Sequence, residues 1–191
     1  MITFTFDTNC LIDLDEERPA AEFLWRIIDA SNNGICEAAF VAVSASERQP
    51  GDSFLETYGD FTQRLARVGV EHVPQILGIA YLDLSYYDHA LYASNEQLKR
   101  EQQLHEALFP TIPYQSSDCL TKAQRGGLDE VAARKKWRNA WCDRQMIWSH
   151  EHHNRDVFVT RDENFSKRLS GRAGFEHLRI MAPKDAISLL P

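Results

Sequence analysis

The sequence predicts an α/β protein in which helices cover a central parallel sheet, and three observations lead to this class. Short apolar runs rich in β-branched and aromatic residues alternate with helix-forming segments, as expected where strands and helices alternate. Hydrophobic residues make up 43% of the chain and charged residues 26%, fractions that are ordinary for a globular protein. The length of 191 residues fits one α/β domain, or one domain that carries a large insertion.

The first part of the chain opens with a strand that ends abruptly. The segment ITFTF is the β-branched and aromatic type of run that forms a buried strand, and Asp7 ends it. Gly34 then provides a stop signal for a helix. In order, the predicted elements are a strand over 2–6, a short helix after Asp7, a longer helix that Gly34 stops, a strand over 35–43, a helix that begins at Ser44 and a helix over 53–68.

Residues 69–127 have the least regular pattern of the chain. They contain an apolar run over 73–87, a polar helix-like stretch from His89 to Leu108, and a loop rich in Pro, Ser and Gly that ends at Gly127. The pattern after this region is regular again. The predicted elements there are a long helix from Leu128 to about His153, a strand over 156–160, a short helix that Gly171 stops, a strand over 175–181 and a closing helix with Pro183 near its first turn.

The composition argues against a membrane or secreted protein. No apolar run approaches the roughly 20 residues that a membrane-spanning helix needs. The start has neither a basic region nor a small-residue cleavage site of the kind found in secretory signals. The four cysteines are scattered without a CxxC pair, which indicates free thiols rather than a zinc site: Cys10, Cys36, Cys119 and Cys142. We therefore expect a cytoplasmic protein with no membrane partner.

The net charge of −7 conceals an asymmetry between the two halves of the chain. Acidic residues predominate over residues 1–98, and basic residues predominate over 99–191. A basic surface beside acidic residues suits a phosphate-rich substrate that is held near a cation. The alternative is an ordinary solvated helix face, and charge alone favours that alternative.

Asp7 stands where the first predicted strand meets a helix, and this position has two interpretations. The carboxylate can cap the helix, since Asp accepts hydrogen bonds from free helix N–H groups. Alternatively, it lies at the carboxyl end of a parallel sheet, where α/β proteins bind their ligands. Asp162 repeats the arrangement, because the strand over 156–160 also runs into Thr and Asp before a helix. Its alternative is again a cap, since Thr160 and Glu163 have the spacing of a capping box.

Two further acids are less distinctive by themselves. Glu47 is predicted to lie in the first turn of the helix after the second strand, where Ser44 and Glu47 have the spacing of a capping box. Asp143 lies within the long predicted helix, where a lone Asp is usually a solvated residue. At about 100° per residue, one face of that helix carries Lys136, Asn139, Asp143 and His150.

Other residues of the long helix have structural interpretations. A stripe is predicted to pack against the region 69–127, with RNA stacking as the alternative: Trp137, Trp141, Arg144 and Trp148. The group His150, His152 and His153 suggests a metal site, but its place at a helix end favours capping of that end. Cys10 is interpreted as a buried packing residue rather than a nucleophile, because no His is near it in sequence.

The order of these elements resembles that of the PIN domain, a superfamily of ribonucleases that includes the VapC-like toxins. FTFDTNCLIDL is similar to the opening motif of the family, DRQMIWSH to its helical acid motif, and VFVTRDENF to its strand–Thr-x-Asp–Phe motif. The closing PKDAISLL is similar to a PIN terminal helix. The resemblance covers residues 1–48 and about 130–191. It implies a single three-layer α/β/α domain over 1–191, with 69–127 as a largely helical insertion.

The resemblance also implies roles for individual residues. Four acids match the catalytic, metal-binding positions of the family: Asp7, Glu47, Asp143 and Asp162. Three polar residues match positions that support those acids or the metal: Asn9, Thr160 and Asn164. Three cations close in sequence to the acids are candidate phosphate contacts: Lys136, Arg161 and Lys167.

The chemistry expected of such a set is metal-dependent hydrolysis. Oxygen ligands without a Cys or His nearby in sequence favour Mg²⁺ or Mn²⁺ over Zn²⁺, as one or two ions. Such an ion lowers the pKa of bound water and stabilises the departing oxyanion of a phosphodiester. Asp7 and Asp143 are expected to be direct ligands, while Glu47 and Asp162 complete the shell or hold metal-bound water.

The resemblance implies RNA as the substrate and leaves other functions open. If the chain is the toxin of a toxin–antitoxin pair, an antitoxin protein is a partner, and a homodimer is a further candidate. The competing function is a non-catalytic PIN module that binds RNA or a protein. A haloacid-dehalogenase-like phosphatase is disfavoured, because that family needs an acid where this chain has Asn9.

Overall fold

The central sheet has five strands, all parallel, in the order β3-β2-β1-β6-β7. The computed structural model describes residues 1–47 and 54–191. Two further strands, β4 and β5, pair in parallel as a separate small sheet. The strands are β1 (Ile2–Phe6), β2 (Cys36–Val41), β3 (Gln75–Ile76), β4 (Gly78–Ile79), β5 (Ala90–Leu91), β6 (Val157–Val159) and β7 (Ile180–Met181).

Helices cover both faces of the sheet, so the fold is a three-layer α/β/α arrangement. The α-helices are α1 (Thr8–Asp15), α2 (Ala21–Asn32), α3 (Tyr58–Val68), α4 (Asn95–Leu108), α5 (Ser116–Arg125), α6 (Glu130–His152), α7 (Glu163–Leu169) and α8 (Pro183–Ala186). Three 3₁₀ segments span Ala42–Ser46, Tyr87–His89 and Ile187–Leu189. The predicted α/β class with a central parallel sheet is confirmed.

Alternation along the strands divides the core into two parts. On one face, Phe4 and Phe6 of β1 and Phe40 of β2 are fully buried against α1, α2, α3 and α8. On the other face, Val41 of β2 and Phe158 of β6 are fully buried against α6, α7 and the helices of region 69–127. Strands buried on both faces are apolar almost throughout, which explains why their runs are readable in the sequence.

The strand order reverses at the centre of the sheet. From β1 the chain continues to β2 on one side, whereas β6 lies on the other side of β1. Phe6 at the end of β1 is therefore in register with both Phe40 of β2 and Val159 of β6. The crevice beyond the carboxyl ends of β1 and β6 is the switch point at which open α/β sheets bind ligands. Asp7 and Thr160 are the first residues after these two strands.

The region 69–127 is joined to the rest of the protein through α6. It contributes β3 to the central sheet, and both α4 and α5 contact α6. Gly78 permits the close approach of β4 to α6, because a Cβ atom there would lie 2.9 Å from Gln145 Oε1. The stripe predicted on α6 does pack against this region: Trp137 Nε1 donates to Tyr114 O at 3.0 Å, and Trp141 contacts Tyr81 edge-on.

Several predicted boundaries are wrong, and each has a local cause. Ser53, the predicted start of the helix over 53–68, lies outside the described residues, and the helix begins at Tyr58 behind a Thr57–Asp60 capping box. The polar helix begins at Asn95 rather than near His89, since Ser94 and Gln97 form another capping box. The predicted loop before Gly127 contains α5, whose Cys119 and Ala123 are buried.

The final predicted strand is also shorter than expected. Over 175–181 only Ile180 and Met181 pair with β6, because Phe175 and Leu178 are turned inward three residues apart and Leu178 N donates to Phe175 O. Across the part of the chain that is described, no helix is long and apolar enough to cross a membrane.

Candidate active site at the carboxyl edge of the sheet

Asp7 is held at the switch point by both the backbone and the side chains around it. Its backbone N–H donates to Val159 O at 3.0 Å, which continues the pairing of β1 with β6. The residue is only 4% exposed, and its side chain makes no capping hydrogen bond to α1. The carboxylate therefore does not serve as a helix cap, which was one of its two interpretations.

A hydrogen-bond network joins the ends of β1 and β6 around this carboxylate. Thr160 Oγ1 donates to Asp7 Oδ2 at 2.6 Å, and the Asn9 amide donates to the same oxygen. The second Asn9 amide hydrogen is directed to Thr160 Oγ1 at 2.9 Å. Thr160 Oγ1 also accepts from the backbone N–H of Asp162 at 2.9 Å. The network fixes the orientation of Asp7 and places Asp162 beside it.

Burial and a neighbouring carboxylate change the acidity of Asp7. Desolvation raises its pKa from 3.8 to about 6, and the charge of Asp162 adds to the rise. The hydrogen bond from Thr160 acts in the opposite direction, since it stabilises the ionised form. Burial therefore dominates, and the free site holds Asp7 less acidic than an exposed aspartate.

Glu47 lies near Asp7, but by a different local structure from the one predicted. The second strand is followed by the 3₁₀ segment Ala42–Ser46, and Glu47 comes after that segment with an extended backbone. The predicted capping box with Ser44 is therefore wrong. Ser44 is instead fully buried, and its Oγ lies in hydrogen-bond contact with Thr8 Oγ1 at 2.8 Å.

The acidity of Glu47 is shifted further than that of Asp7. Desolvation, followed by the charge of Asp7, raises its pKa from 4.5 to about 8. A hydrogen bond from the Thr8 side chain and the charge of Arg64 offset part of this rise. Thr8 thus links the start of α1 to the acid that follows β2.

Asp143 reaches the same group from α6. It is half-buried, and desolvation raises its pKa well above the ordinary value. The charges of Glu47, Asp7 and Asp162 each raise the pKa of Asp143 further. Asp143 is therefore the residue on which the other three predicted acids act together, although it comes from a helix rather than a strand end.

Asp162 combines a structural role with its place in the acidic group. It is exposed and caps α7, since Asp162 Oδ1 accepts from Asn164 N at 2.8 Å. The predicted capping box of Thr160 with Glu163 is wrong, because Thr160 bonds to Asp7 and Glu163 pairs with Lys167. The predicted alternative role of Asp162 at the start of this helix is confirmed.

The donor set fits a hard divalent cation that keeps part of its water shell. All four side chains offer carboxylate oxygens, the ligands that Mg²⁺ and Mn²⁺ prefer. Within residues 1–47 and 54–191, no three His, Cys, Asp or Glu side chains stand close enough to enclose a metal ion. Mg²⁺ sites commonly use one or two carboxylates together with waters and substrate phosphates. Such an ion would be held by Asp7 and Asp143, with Glu47 and Asp162 acting through water.

The three predicted phosphate contacts differ in their surroundings. Arg161 pairs with Asp13, which is fully buried, and Lys167 pairs with Glu163 on the surface. Lys136 instead lines a cleft that also contains Asp143. A fourth cation, Arg168, lines the same cleft and was not singled out from the sequence.

Some residues of the site had no clear signal in the sequence. Thr8 and Ser44 are hydroxyl residues next to predicted motifs, and their contact across 36 residues becomes visible only in the fold. The buried Asp13 has its Arg161 partner 148 residues away, so no local pattern indicates the pair. By contrast, the helical spacing predicted that Asn139 and Asp143 share one face of α6, and both line the same cleft.

Two other predictions about this part of the chain have different outcomes. Cys10 is fully buried and its thiol donates to Val159 O at 3.2 Å, which confirms a packing role. The histidines do lie at the end of α6, where His153 is the C-cap residue, but their side chains have other partners. His150 bonds to Thr5 Oγ1 at 3.0 Å, His153 bonds to Leu77 O at 3.1 Å, and His152 stacks on Trp148. They join α6 to the sheet and to region 69–127.

Comparisons with known proteins assign no family to the chain. No protein-family model matches the chain. A search of curated proteins found no significant match either. The function proposed for the chain therefore depends on its fold and on the residues of the site.

Proposed function

We propose that this protein is a metal-dependent endoribonuclease that hydrolyses phosphodiester bonds at the carboxyl edge of its sheet. The observation that carries the proposal is the group of Asp7, Glu47 and Asp143, whose pKa values are all raised by burial. The charge of Asp7 also raises the pKa of Glu47, and the charges of both raise the pKa of Asp143. Buried like charges that interact in this way are costly unless a cation compensates them. Their position at the switch point of the sheet is where a ligand is expected.

The residues of the site divide into ligands and supports. Asp7 and Asp143 would hold the ion, and Glu47 and Asp162 would support it through water. Thr160 and Asn9 keep the Asp7 carboxylate in one orientation, since both donate to Asp7 Oδ2. When bound, Mg²⁺ or Mn²⁺ supplies a more acidic water and stabilises the departing oxyanion. The choice of RNA as substrate follows the resemblance to PIN-domain ribonucleases.

The competing function is a non-catalytic module with the same fold that binds RNA or a protein partner. Cleavage separates the two functions. Purified protein would be incubated with a mixed RNA panel that includes structured tRNA, in Mg²⁺, Mn²⁺ or EDTA. Asp143→Asn would be prepared in the same way, with Asp29→Asn as the matched control, because Asp29 is an exposed aspartate on α2.

The expected result is cleavage that requires the metal, disappears in Asp143→Asn and persists in Asp29→Asn. The loss should reach roughly 100-fold or more, since charge stabilisation by a metal is worth several kcal/mol and about 1.4 kcal/mol is a factor of ten. Equal cleavage by all three proteins would point to a contaminating nuclease or to a wrong assignment of Asp143. Absence of cleavage in every metal would favour the non-catalytic module.

A further inference from the structure

A cleft of about 330 Å³ opens beside Asp143, and region 69–127 forms one of its walls. The second wall is α6, and the third is the outer side of α7. Its volume is at the lower end of the range, roughly 300–1,000 Å³, over which pockets hold small ligands. The lining residues fall into an apolar wall of Leu108–Ile112 and a polar wall of Lys136, Asn139, Asp143, Asn164 and Arg168.

The polar wall carries cations that are available to a ligand. Within the part of the chain that the structure describes, neither Lys136 nor Arg168 pairs with an acidic side chain. This distinguishes them from Arg161 and Lys167, which have the carboxylate partners Asp13 and Glu163. Cations without protein partners beside a group of acids favour a ligand that carries phosphate.

The apolar wall is held rigidly by region 69–127. Its turn is closed by Phe109 N donating to His105 O at 2.7 Å and Ile112 N donating to Phe109 O at 3.1 Å. His105 Nε2 also bonds to Ile112 O at 2.8 Å, and Lys122 Nζ donates to Thr111 O at 3.2 Å. A wall that is fixed before the ligand arrives costs less to order on binding.

We infer that this cleft binds one nucleotide of a single-stranded RNA, directly beside the phosphodiester that lies at the acids. The inference rests on the proposed function and names the form of its substrate. The phosphate contacts Lys136 and Arg168, while the base lies against the apolar wall of Leu108–Ile112. A base has to leave a duplex to reach such a wall, so the cleft selects single strands. Region 69–127 thus acts as part of the substrate site.

The test is RNA binding by a protein that keeps the RNA intact. Asp7→Asn, which lies outside the cleft lining, serves as the background in Mg²⁺. Affinity for a fluorescent 12-nucleotide RNA would be measured by anisotropy at several salt concentrations, alone and annealed to its complement. The test variant adds Lys136→Ala and Arg168→Ala. The matched control adds Lys99→Ala and Arg26→Ala, an exposed Lys on α4 and an exposed Arg on α2.

The expected result is a loss of affinity of at least about tenfold in the test variant. The slope of log K against log salt should become shallower by about 0.7, because each neutralised phosphate of a single strand contributes about that much. Binding of the duplex should be much weaker than binding of the single strand. Equal affinity for both forms, or equal changes in test and control variants, would overturn the inference.

The apolar wall is tested separately. Thr111→Trp places a large ring in the cleft from an exposed position, with Thr121→Trp on the outer side of α5 as its control. Thr111→Trp should weaken binding of the single-stranded RNA, and Thr121→Trp should not. The salt slope should stay the same, since no cation is removed. Unchanged affinity would show that no base occupies this wall.

These outcomes are distinguishable from failure of the proposed function. If the native chain cleaves RNA while the Lys136 and Arg168 variant binds normally, the nuclease stands and the cleft assignment is wrong. If single-stranded RNA binds through the cleft but no metal supports cleavage, the cleft assignment stands and the nuclease is wrong.

Discussion

Asp143 and Arg144 are adjacent on α6, yet Arg144 lies beside an opposite charge and Asp143 lies beside like charges. Arg144 is 1% exposed, and its Nε donates to Glu101 Oε1 at 2.6 Å. Asp143 faces Glu47, Asp7 and Asp162, which are all acids, and it has no cationic partner among the described residues. One helix thus carries a compensated charge toward region 69–127 and an uncompensated charge toward the sheet edge.

The compensated side is a complete buried network. Glu101 accepts hydrogen bonds from Arg144, Gln145, Tyr81 and Tyr114, all at 2.5–2.6 Å. Arg144 Nη1 also bonds to His105 Nδ1 at 3.0 Å and to Tyr114 O at 3.2 Å. A buried ion pair is tolerated when its remaining donors and acceptors are satisfied in this way. The network requires no ligand, and its role is to attach region 69–127 to α6.

Around Asp143, the described residues provide no such network, and its charged neighbours are other acids. Folding that brings several carboxylates together raises their pKa values and costs stability. Natural proteins keep such arrangements where function needs them. The comparison shows that a buried charge with a partner, such as Arg144, does not indicate a functional site. A charge buried among like charges, such as Asp143, does indicate one.

The largest effect is expected from breaking the compensated side. Arg144→Met leaves Glu101 buried without its ionic partner, which should lower the free energy of unfolding by about 3–5 kcal/mol. Urea unfolding measures this loss. Lys167→Met is the control, because Lys167 forms an exposed pair with Glu163 and its removal should change stability little.

A second variant sharpens the interpretation of this loss. Combining Arg144→Met with Glu101→Leu removes both charges and should recover part of the stability, since an apolar replacement of a buried pair is often tolerated. Failure of the double variant to recover any stability would mean that packing, rather than the unpaired Glu101, explains the effect of Arg144→Met.

A smaller effect is expected from Thr160→Val on the uncompensated side. Thr160 donates to Asp7 Oδ2, so its loss should leave the shape of the site intact but raise the pKa of Asp7 and loosen its orientation. Residues that orient a metal ligand are typically worth about 10–100-fold in metal affinity. The Mg²⁺ concentration that supports half-maximal cleavage should rise by that factor.

The exposed Thr121→Val on α5 is the control for Thr160→Val. An increase confined to KM for RNA, with the metal requirement unchanged, would place Thr160 in substrate binding instead of metal orientation.

The strand ends that carry acids and the packing face of α6 could be predicted from the sequence, because local sequence patterns determine both. The run ITFTF and the step from VFVT to Asp162 indicated two strand ends with acids, and the parallel sheet brought Asp7 and Thr160 together as its register requires. The stripe of Trp137, Trp141 and Arg144 likewise indicated a packing face, since helical spacing alone defines it.

The remainder depends on contacts between distant parts of the chain. Glu47 was expected inside a helix, but Ser44 is drawn into a buried contact with Thr8 and the segment becomes 3₁₀. Cys119 and Ala123 gave no strong helical pattern, and packing against α6 decides the structure of α5. The place of Arg168 in a cleft could not be predicted from the sequence either, because the opposite wall of that cleft comes from region 69–127.

The smallest effect concerns pH and isolates the ionisation of Glu47 at the sheet edge. In the folded protein the pKa of Glu47 is about 8, against an ordinary value of 4.5, so the folded state binds more protons than the unfolded state between these values. Stability without metal should therefore fall as pH rises toward 8. The measurement covers the window from pH 6.5 to 8.5. The pKa of His150 is 6.5 ordinarily and about 3 in the folded protein, so the effect of His150 on stability falls mainly at lower pH.

Urea unfolding in EDTA of the wild type and of Glu47→Gln checks this expectation. The wild type should lose stability relative to Glu47→Gln across the window, since Gln cannot ionise. Parallel pH profiles for the two proteins would mean that Glu47 ionises as an ordinary exposed glutamate does.

Direct titration of Mn²⁺ into the protein by isothermal calorimetry tests the central claim, that the acids at the sheet edge form a metal site. The wild type and Asp29→Asn should bind Mn²⁺ equally, and Asp143→Asn should bind it at least about tenfold more weakly. Binding should release protons, because carboxyl groups with raised pKa values ionise when the cation arrives. Mn²⁺ binding that is absent from the wild type, or that is undiminished in Asp143→Asn, would contradict the assignment.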